Sequence, residues 1–161
     1  MGKGLGLSKF GTHMVFVGGT GMLVFVDLVA LLIRLNLGLI QRDCNPIFGK
    51  GSTFKLVIYA SFATRQDAVG LALLEGLQEI TEGKKLENFE LILRISSEAR
   101  SSPKPNRWDE EYIRRQVKIH SKDDLAKIYV CGPPMMSETF DRTFDTMIRE
   151  DQLKSSQVEI M

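Results

Sequence analysis

The chain contains few cysteines and few histidines, two of each in 161 residues. Cys44 and Cys131 are too few for a disulfide framework or for a zinc site with four cysteine ligands. Their scarcity favours a reducing compartment, either the cytoplasm or an organellar matrix. The chain could face such a compartment as part of a membrane-associated parent protein. His13 and His120 have no carboxylates at metal-ligand spacing, so we expect surface or capping histidines and assign no metal.

The chain also lacks an excess of charge of either sign. Lysine and arginine number 21 against 20 aspartates and glutamates, which gives a formal net charge of +1. This balance provides no electrostatic basis for binding nucleic acid or an anionic membrane. Partners must therefore be inferred from individual sites.

No apolar run of membrane-spanning length is free of polar residues. The most apolar segment, MLVFVDLVALLIRLNLGLI, contains Asp27, Arg34 and Asn36. A helix that packs against a sheet has the same composition, so we expect a core helix and no membrane span. The N-terminal MGKGLGLSKFG is glycine-rich and polar, where a signal peptide would have an apolar core.

Short β-branched runs alternate with longer helical patterns along the chain. This alternation is typical of a parallel sheet covered by helices. It predicts an α/β fold, a doubly wound five-stranded parallel sheet in the order 3-2-1-4-5 with helices on both faces. The predicted strands are 12–17, 54–61, 89–96, 127–132 and 157–161, and the predicted helices are 21–36, 65–83, 108–120 and 133–151.

The first predicted strand ends in the glycine-rich stretch VGGTGM, which contains Gly18, Gly19 and Gly21. Glycines at such a strand-to-helix turn remove side chains where helix N-terminal amides point outward, and a phosphate can bind there. The stretch is not the GxGxxG fingerprint. Similar turns also occur for packing alone, so the pattern leaves both interpretations open.

The second glycine-marked strand end lies in KIYVCGPPMMSE. If this strand lies beside the first, Cys131 and Gly132 reach the same edge as the glycine turn. Pro133 and Pro134 then begin the next helix, where missing N–H groups cost least. The thiol could be a contact surface, a nucleophile or a buried apolar group. Because no histidine lies nearby in sequence to act as a base, we interpret it as a contact surface for a planar ring.

Together, VFVGGTGM and IYVCGPPMM resemble the pyridine-nucleotide half of the ferredoxin–NADP reductase superfamily, nearest the cytochrome b5 reductase and nitrate reductase branch. MGKGLGL resembles the end of the preceding flavin domain, and NRWDEEYI resembles the segment that enters the third helix. The resemblance implies a tail over 1–11 and an NAD(P)-binding domain over 12–161. It also implies a domain that presents the nicotinamide of NADH or NADPH to a flavin.

The resemblance also implies roles for individual residues. It places the pyrophosphate and nicotinamide on Gly18, Gly19, Thr20 and Gly21, the reacting carbon against Cys131, and the pocket floor on Gly132 and Pro133. It places the adenosine end near Ser61, Thr64, Arg65, Asp67 and the range Ser96 to Arg100, with Ser97 and Arg100 as binding residues within that range. Arg65 and Arg100 would suit the 2′-phosphate of NADPH, although either is equally a solvated surface residue, whereas Asp67 would suit a free ribose hydroxyl. The balance leans to NADPH and leaves NADH open.

Two departures from the superfamily pattern give rise to an alternative. Leu23 and Val24 stand where a small residue and a proline are usual, so they would weaken or close the nicotinamide site. No Arg-x-Tyr-Ser/Thr flavin motif occurs in the chain. We therefore expect FAD only on a separate domain or subunit, with a haem or iron–sulfur acceptor downstream. The alternative is a catalytically silent structural or regulatory subunit that retains the fold.

Three further residues have simpler predicted roles. Trp108 is expected to anchor the core, and Met135 and Met136 are expected to lie on the inner face of the last helix.

Overall fold

The computed structural model describes residues 4–43, 45–98 and 108–161. Within these residues, five strands form one parallel sheet in the order β3-β2-β1-β4-β5. The predicted α/β fold and strand order are confirmed. The strands are β1 (Thr12–Gly18), β2 (Lys55–Phe62), β3 (Phe89–Ile95), β4 (Leu125–Cys131) and β5 (Val158–Ile160).

Helices cover both faces of the sheet. They are α1 (Val26–Asn36), α2 (Leu71–Gly83), α3 (Glu110–Ser121) and α4 (Pro134–Arg149). Helices α1 and α2 share one core with alternate residues of β1, such as Val15 and Val17. Helices α3 and α4 share the other core with Met14 and Phe16. Because side chains alternate across a strand, the buried central strand β1 contributes to both cores.

The most apolar segment of the chain packs in the core. The stretch Gly19–Asn36 is long and apolar enough to cross a membrane by length and composition. It consists of a 3₁₀ helix, Gly19–Phe25, followed by α1. Its buried side chains belong to the core between α1, α2 and the sheet, namely Met22, Phe25, Leu28, Val29, Leu32 and Leu35. This burial explains the composition without a membrane.

Two helices begin later than the sequence predicts. Helix α1 starts at Val26 because the glycine-rich segment before it forms the tighter 3₁₀ helix. Helix α2 starts at Leu71 because Gly70 has a left-handed backbone, with a φ of 77°. Residues 65–70 are therefore a turn after β2, which places Arg65 and Asp67 outside the helix.

The prediction for the two histidines was wrong, because both side chains are buried. His13 lies inside the buried strand β1, where the Ser8 N–H donates to its Nε2 at 3.0 Å. Nε2 of His120 lies 3.0 Å from the Tyr59 hydroxyl. Burial lowers the pKa of both histidines, to about 4 for His13. Each ring therefore packs in its neutral form.

The segment before β1 lies against the sheet domain. Leu5 and Leu7 pack against the core beneath α1 and α2. The Leu5 carbonyl accepts a hydrogen bond from the Tyr129 hydroxyl. The boundary between residues 11 and 12 stays a prediction.

Candidate functional site

The site is built at the carboxyl edge of the sheet, where three central strands end side by side. Gly18 of β1 pairs with Ser61 of β2, and Val17 pairs with Cys131 of β4. The predicted proximity of the glycine turn and Cys131 is confirmed. In sheets of this type, ligands bind at this edge.

The glycine turn has its shape for two separate reasons. Gly19 has a φ of 54°, a left-handed backbone that other residues rarely adopt, and the space beside its Cα is open. Gly21 is different, because a Cβ added there would lie 2.1 Å from the Cys131 carbonyl oxygen. Gly21 thus allows the turn to cross directly over the end of β4. Packing explains Gly21, whereas the open space at Gly19 is available to a ligand.

A cavity of about 470 Å³ lies over this turn. We call it the turn cavity, and it is lined by Gly18, Gly19, Thr20, Gly21, Val24, Cys131, Gly132 and Pro133. It brings together the whole set of residues that the sequence motifs assign to the nicotinamide and the pyrophosphate. Val24 lines one wall and the cavity stays open beside it, while Leu23 is 57% exposed and does not line the cavity.

The Cys131 thiol is half-buried in the wall of the turn cavity. Burial raises the pKa of this thiol, which disfavours the thiolate. A neutral, polarizable sulfur suits contact with an apolar ring better than nucleophilic attack. Pro133 and Pro134 then turn the chain away into α4, with Pro133 at the N-cap position.

A second cavity, of about 440 Å³, adjoins the first and shares Gly18, Gly19 and Pro133 with it. We call it the arginine cavity. Its other lining residues are Ser61, Phe62, Ala63, Arg94, Ser96, Trp108, Met136, Thr139 and Phe140. Trp108 contacts Phe16 and Phe140 edge-on, with ring centroids 5.5 and 6.0 Å apart, so its predicted packing against the core is confirmed. The two cavities form one cleft along the strand ends.

The predicted adenosine residues are only partly brought together. Ser61 and Ser96 line the arginine cavity. The cavities are not lined by Thr64, Arg65, Asp67 or Ser97. Ser97 lies in a short 3₁₀ helix, and its N–H donates to the Ala63 carbonyl at 3.0 Å. Arg100 and Cys44 lie outside the described residues.

Arg65 and Asp67 already have partners. The Arg65 guanidinium donates to Glu98 at 2.6 Å and to Glu75 at 3.0 Å. These two carboxylates raise the pKa of Arg65, although the ion pairs are exposed. Asp67 accepts a hydrogen bond from the Thr64 hydroxyl at 2.7 Å and thereby closes the turn after β2.

The sequence motifs did not assign several lining residues to the cleft, among them Arg94 and Met136. Strand alternation could have indicated Arg94, since it is a lone cation near the end of an apolar strand. Met136 packs against the core as predicted, but the prediction for Met135 was wrong. Met135 lies in the first turn of α4 and is 81% exposed.

A larger cavity, of about 800 Å³, lies at the opposite edge of the sheet. Polar side chains there are paired with one another, as in the 3.2 Å ion pair between Lys55 and Glu90. The Asn36 amide donates to Thr81 and Asn88. The larger volume is therefore a poorer candidate for a ligand site than the carboxyl-edge cleft.

No protein-family model matches the chain, and no curated protein matches it either. Solved structures do. A mutant ferredoxin–NADP⁺ reductase from Plasmodium falciparum in complex with 2′P-AMP matches with a TM-score of 0.57 and 13% identity. The match covers 94% of this chain and 53% of that one.

Two other solved structures are also similar to this chain. The cytochrome b5 reductase domain of Ulva prolifera nitrate reductase has a TM-score of 0.54 and 14% identity, with 93% of this chain and 48% of that chain covered. A flavohemoglobin from Malassezia yamatoensis with bound FAD and heme has a TM-score of 0.55 and 14% identity, with 98% and 33% covered.

The chain shares the fold of these proteins over the aligned residues. The resemblance predicted from the two motifs is confirmed at the level of the fold. The chain spans about half or less of the length of each of these structures.

Proposed function

We propose that this chain is the pyridine-nucleotide-binding domain of a flavin-dependent oxidoreductase. In this proposal it positions NADPH or NADH so that hydride passes to FAD held by a separate domain or subunit. The observation that carries it is the turn cavity, where Gly19, Thr20 and Cys131 meet over the strand ends. The similar fold of known reductases supports it.

The residues of the turn cavity suit the two ends of a nicotinamide nucleotide. The left-handed Gly19 leaves open space above the turn, and the exposed Thr20 hydroxyl is available to a phosphate. Cys131 offers a neutral sulfur surface to the nicotinamide ring. The hydride chemistry belongs to the two cofactors, and these residues supply position and orientation.

The proposal implies that FAD is bound outside the sheet domain. From FAD, single electrons would pass to a haem or iron–sulfur acceptor. A flavohemoglobin with bound FAD and heme shares this fold, which supports a haem as one such acceptor. The protein would work in a reducing compartment, where the Cys131 thiol stays reduced.

An alternative function is favoured by one observation. Leu23 and Val24, which stand in place of a small residue and a proline, are 57% and 45% exposed beside the turn cavity. Exposed apolar side chains of this kind suit contact with another protein. In this alternative, the chain is a structural or regulatory subunit that keeps the fold and binds no nucleotide.

Calorimetric titration of this chain with NADPH and with NADH separates the two proposals. The first proposal predicts saturable binding of at least one nucleotide, with a dissociation constant of about 1 mM or tighter. A Gly19→Val variant should bind more weakly, because valine strains the left-handed backbone and fills the open space. Gly51→Val, at a left-handed glycine outside the cleft, is the matched control. Absence of binding heat with both nucleotides would favour the alternative, a structural or regulatory subunit that binds no nucleotide.

A further inference from the structure

Arg94 is the residue of the cleft whose charge has no assigned role. It lies one residue before the end of β3 and pairs with Ser61 of β2, which pairs with Gly18 of β1. These three residues form a row across the carboxyl edge. Because adjacent strands lie about 4.8 Å apart, Arg94 begins about 10 Å from the glycine turn.

The Arg94 guanidinium is incompletely paired. Its Nε atom is buried and has no hydrogen-bond partner among the described residues. No ion pair between described residues includes Arg94. A buried donor of a charged group is destabilising when it is left unpaired, because it has lost its hydrogen bonds to water. An acceptor bound in the cavity would remove that destabilisation.

The surroundings of Arg94 suit an anion. None of the described residues that line the arginine cavity is acidic, whereas Ser61 and Ser96 provide hydroxyl groups there. Arg65 has the opposite environment, because Glu98 and Glu75 already accept its N–H groups. The sequence analysis suggested Arg65 and Arg100 for the 2′-phosphate, whereas Arg94 is the arginine that lines the cleft among the described residues.

We propose that Arg94 binds the 2′-phosphate of NADPH and is the residue that sets a preference for NADPH over NADH. This inference rests on the proposed nucleotide-binding function and names the phosphate that its cleft selects. A planar guanidinium can donate two N–H groups to one phosphate, while the serine hydroxyls donate to the remaining oxygens. NADH lacks this phosphate and would leave Nε without a partner.

The test uses the whole chain and four ligands: NADPH, NADH, 2′P-AMP and AMP. Dissociation constants are measured by calorimetry for the unmodified chain and for Arg94→Gln, Arg94→Lys and Arg65→Gln. Arg94→Gln should weaken NADPH and 2′P-AMP at least about tenfold, since charge-assisted hydrogen bonds contribute about 1.5–3 kcal/mol. NADH and AMP should change less than about twofold, as should all four ligands with Arg65→Gln.

Three other outcomes would overturn the inference, and the measurements distinguish them. Equal losses for NADPH and NADH would show that Arg94 contacts a shared part of the nucleotide or only supports the fold. An unchanged preference in Arg94→Gln, with a loss in Arg65→Gln, would assign the phosphate to Arg65. If the unmodified chain bound none of the four ligands, the proposed function itself would fall. Should Arg94→Gln not fold, Arg94→Lys still decides, with a several-fold loss for NADPH alone expected.

Discussion

At the amino edge of the sheet, where the strands begin, several polar side chains pair with one another, although Nδ1 of the buried His13 has no hydrogen-bond partner among the described residues. The side-chain oxygen Oδ1 of Asn36 accepts hydrogen bonds from the Arg42 guanidinium at 2.9 Å and from the Asn88 amide at 2.7 Å. At the carboxyl edge, the buried Arg94 Nε is unpaired and the Gly19 turn faces open space. The unpaired amino-edge atom belongs to a neutral imidazole, whereas the unpaired carboxyl-edge atom belongs to a charged guanidinium that lines a cavity, so the carboxyl edge is the better candidate for a ligand site.

The strongest test of the carboxyl edge is Gly21→Ala. The added Cβ would lie 2.1 Å from the Cys131 carbonyl oxygen, which is backbone and cannot move aside easily. We expect the free energy of unfolding to fall by about 3 kcal/mol in urea titrations. Gly76→Ala, inside α2 with open space beside it, is the control and should gain about 0.5–1 kcal/mol. Equal effects of both variants would show that the turn does not depend on this close approach.

Acid pH should lower the free energy of unfolding through a buried histidine at the amino edge. Burial lowers the pKa of His13 to about 4, from about 6.5 in an unfolded chain. The stability that the neutral ring provides is fully present above about pH 6.5 and is lost as pH falls toward about 4, by up to about 3 kcal/mol. His120 has a shift of the same sign and adds to this loss. Urea unfolding of the unmodified chain at several pH values measures it.

The control for the acid effect is His13→Gln, whose side chain takes no proton. Its free energy of unfolding should depend less steeply on pH than that of the unmodified chain between about pH 6.5 and 4. Identical slopes would mean that His13 is not the group that takes up the proton.

Removing the Asn36 amide should affect stability without affecting the ligand. Asn36→Ala removes both hydrogen bonds between the Asn36 and Asn88 side chains and leaves the Thr81 hydroxyl with the Leu77 carbonyl, so we expect a loss of about 2 kcal/mol. Arg34→Gln, at an exposed position of the same helix, should change stability by less than about 0.5 kcal/mol. Nucleotide affinity should stay constant in both variants. A weaker nucleotide affinity in Asn36→Ala alone would show that the amino edge influences the ligand site at the carboxyl edge, and would contradict the separation of the two edges.

Cys131→Ala should have the smallest effect on stability, below about 1 kcal/mol, because the thiol is only half-buried. In a flavin-containing parent, flavin reduction by NADPH or NADH should slow by about tenfold, since the nicotinamide loses a positioning surface. Stopped-flow absorbance of the flavin measures the rate. An unchanged rate would remove Cys131 from the mechanism.

The two edges also differ in how far the sequence predicts them. The periodic strands and helices predict the sheet order, and VGGTGM and YVCGPP predict the turn cavity, because glycine and proline restrict the backbone locally. Side-chain pairing depends on contacts between distant residues. Arg65 meets Glu98, 33 residues away, so the motif alone could not show that this arginine is already paired. The burial of His120 against Tyr59 was missed for the same reason.

The most direct test of the central claim is an amide NMR titration of this chain with NADPH and, separately, with NADH. We expect saturable shifts at Gly18–Gly21, Ser61, Cys131 and Gly132, with larger shifts for NADPH than for NADH at Ser61 and Ser96. Little change is expected at Asn36, Thr81 and Asn88. Shifts confined to the amino edge, or no shifts with either nucleotide at concentrations well above about 1 mM, would contradict it.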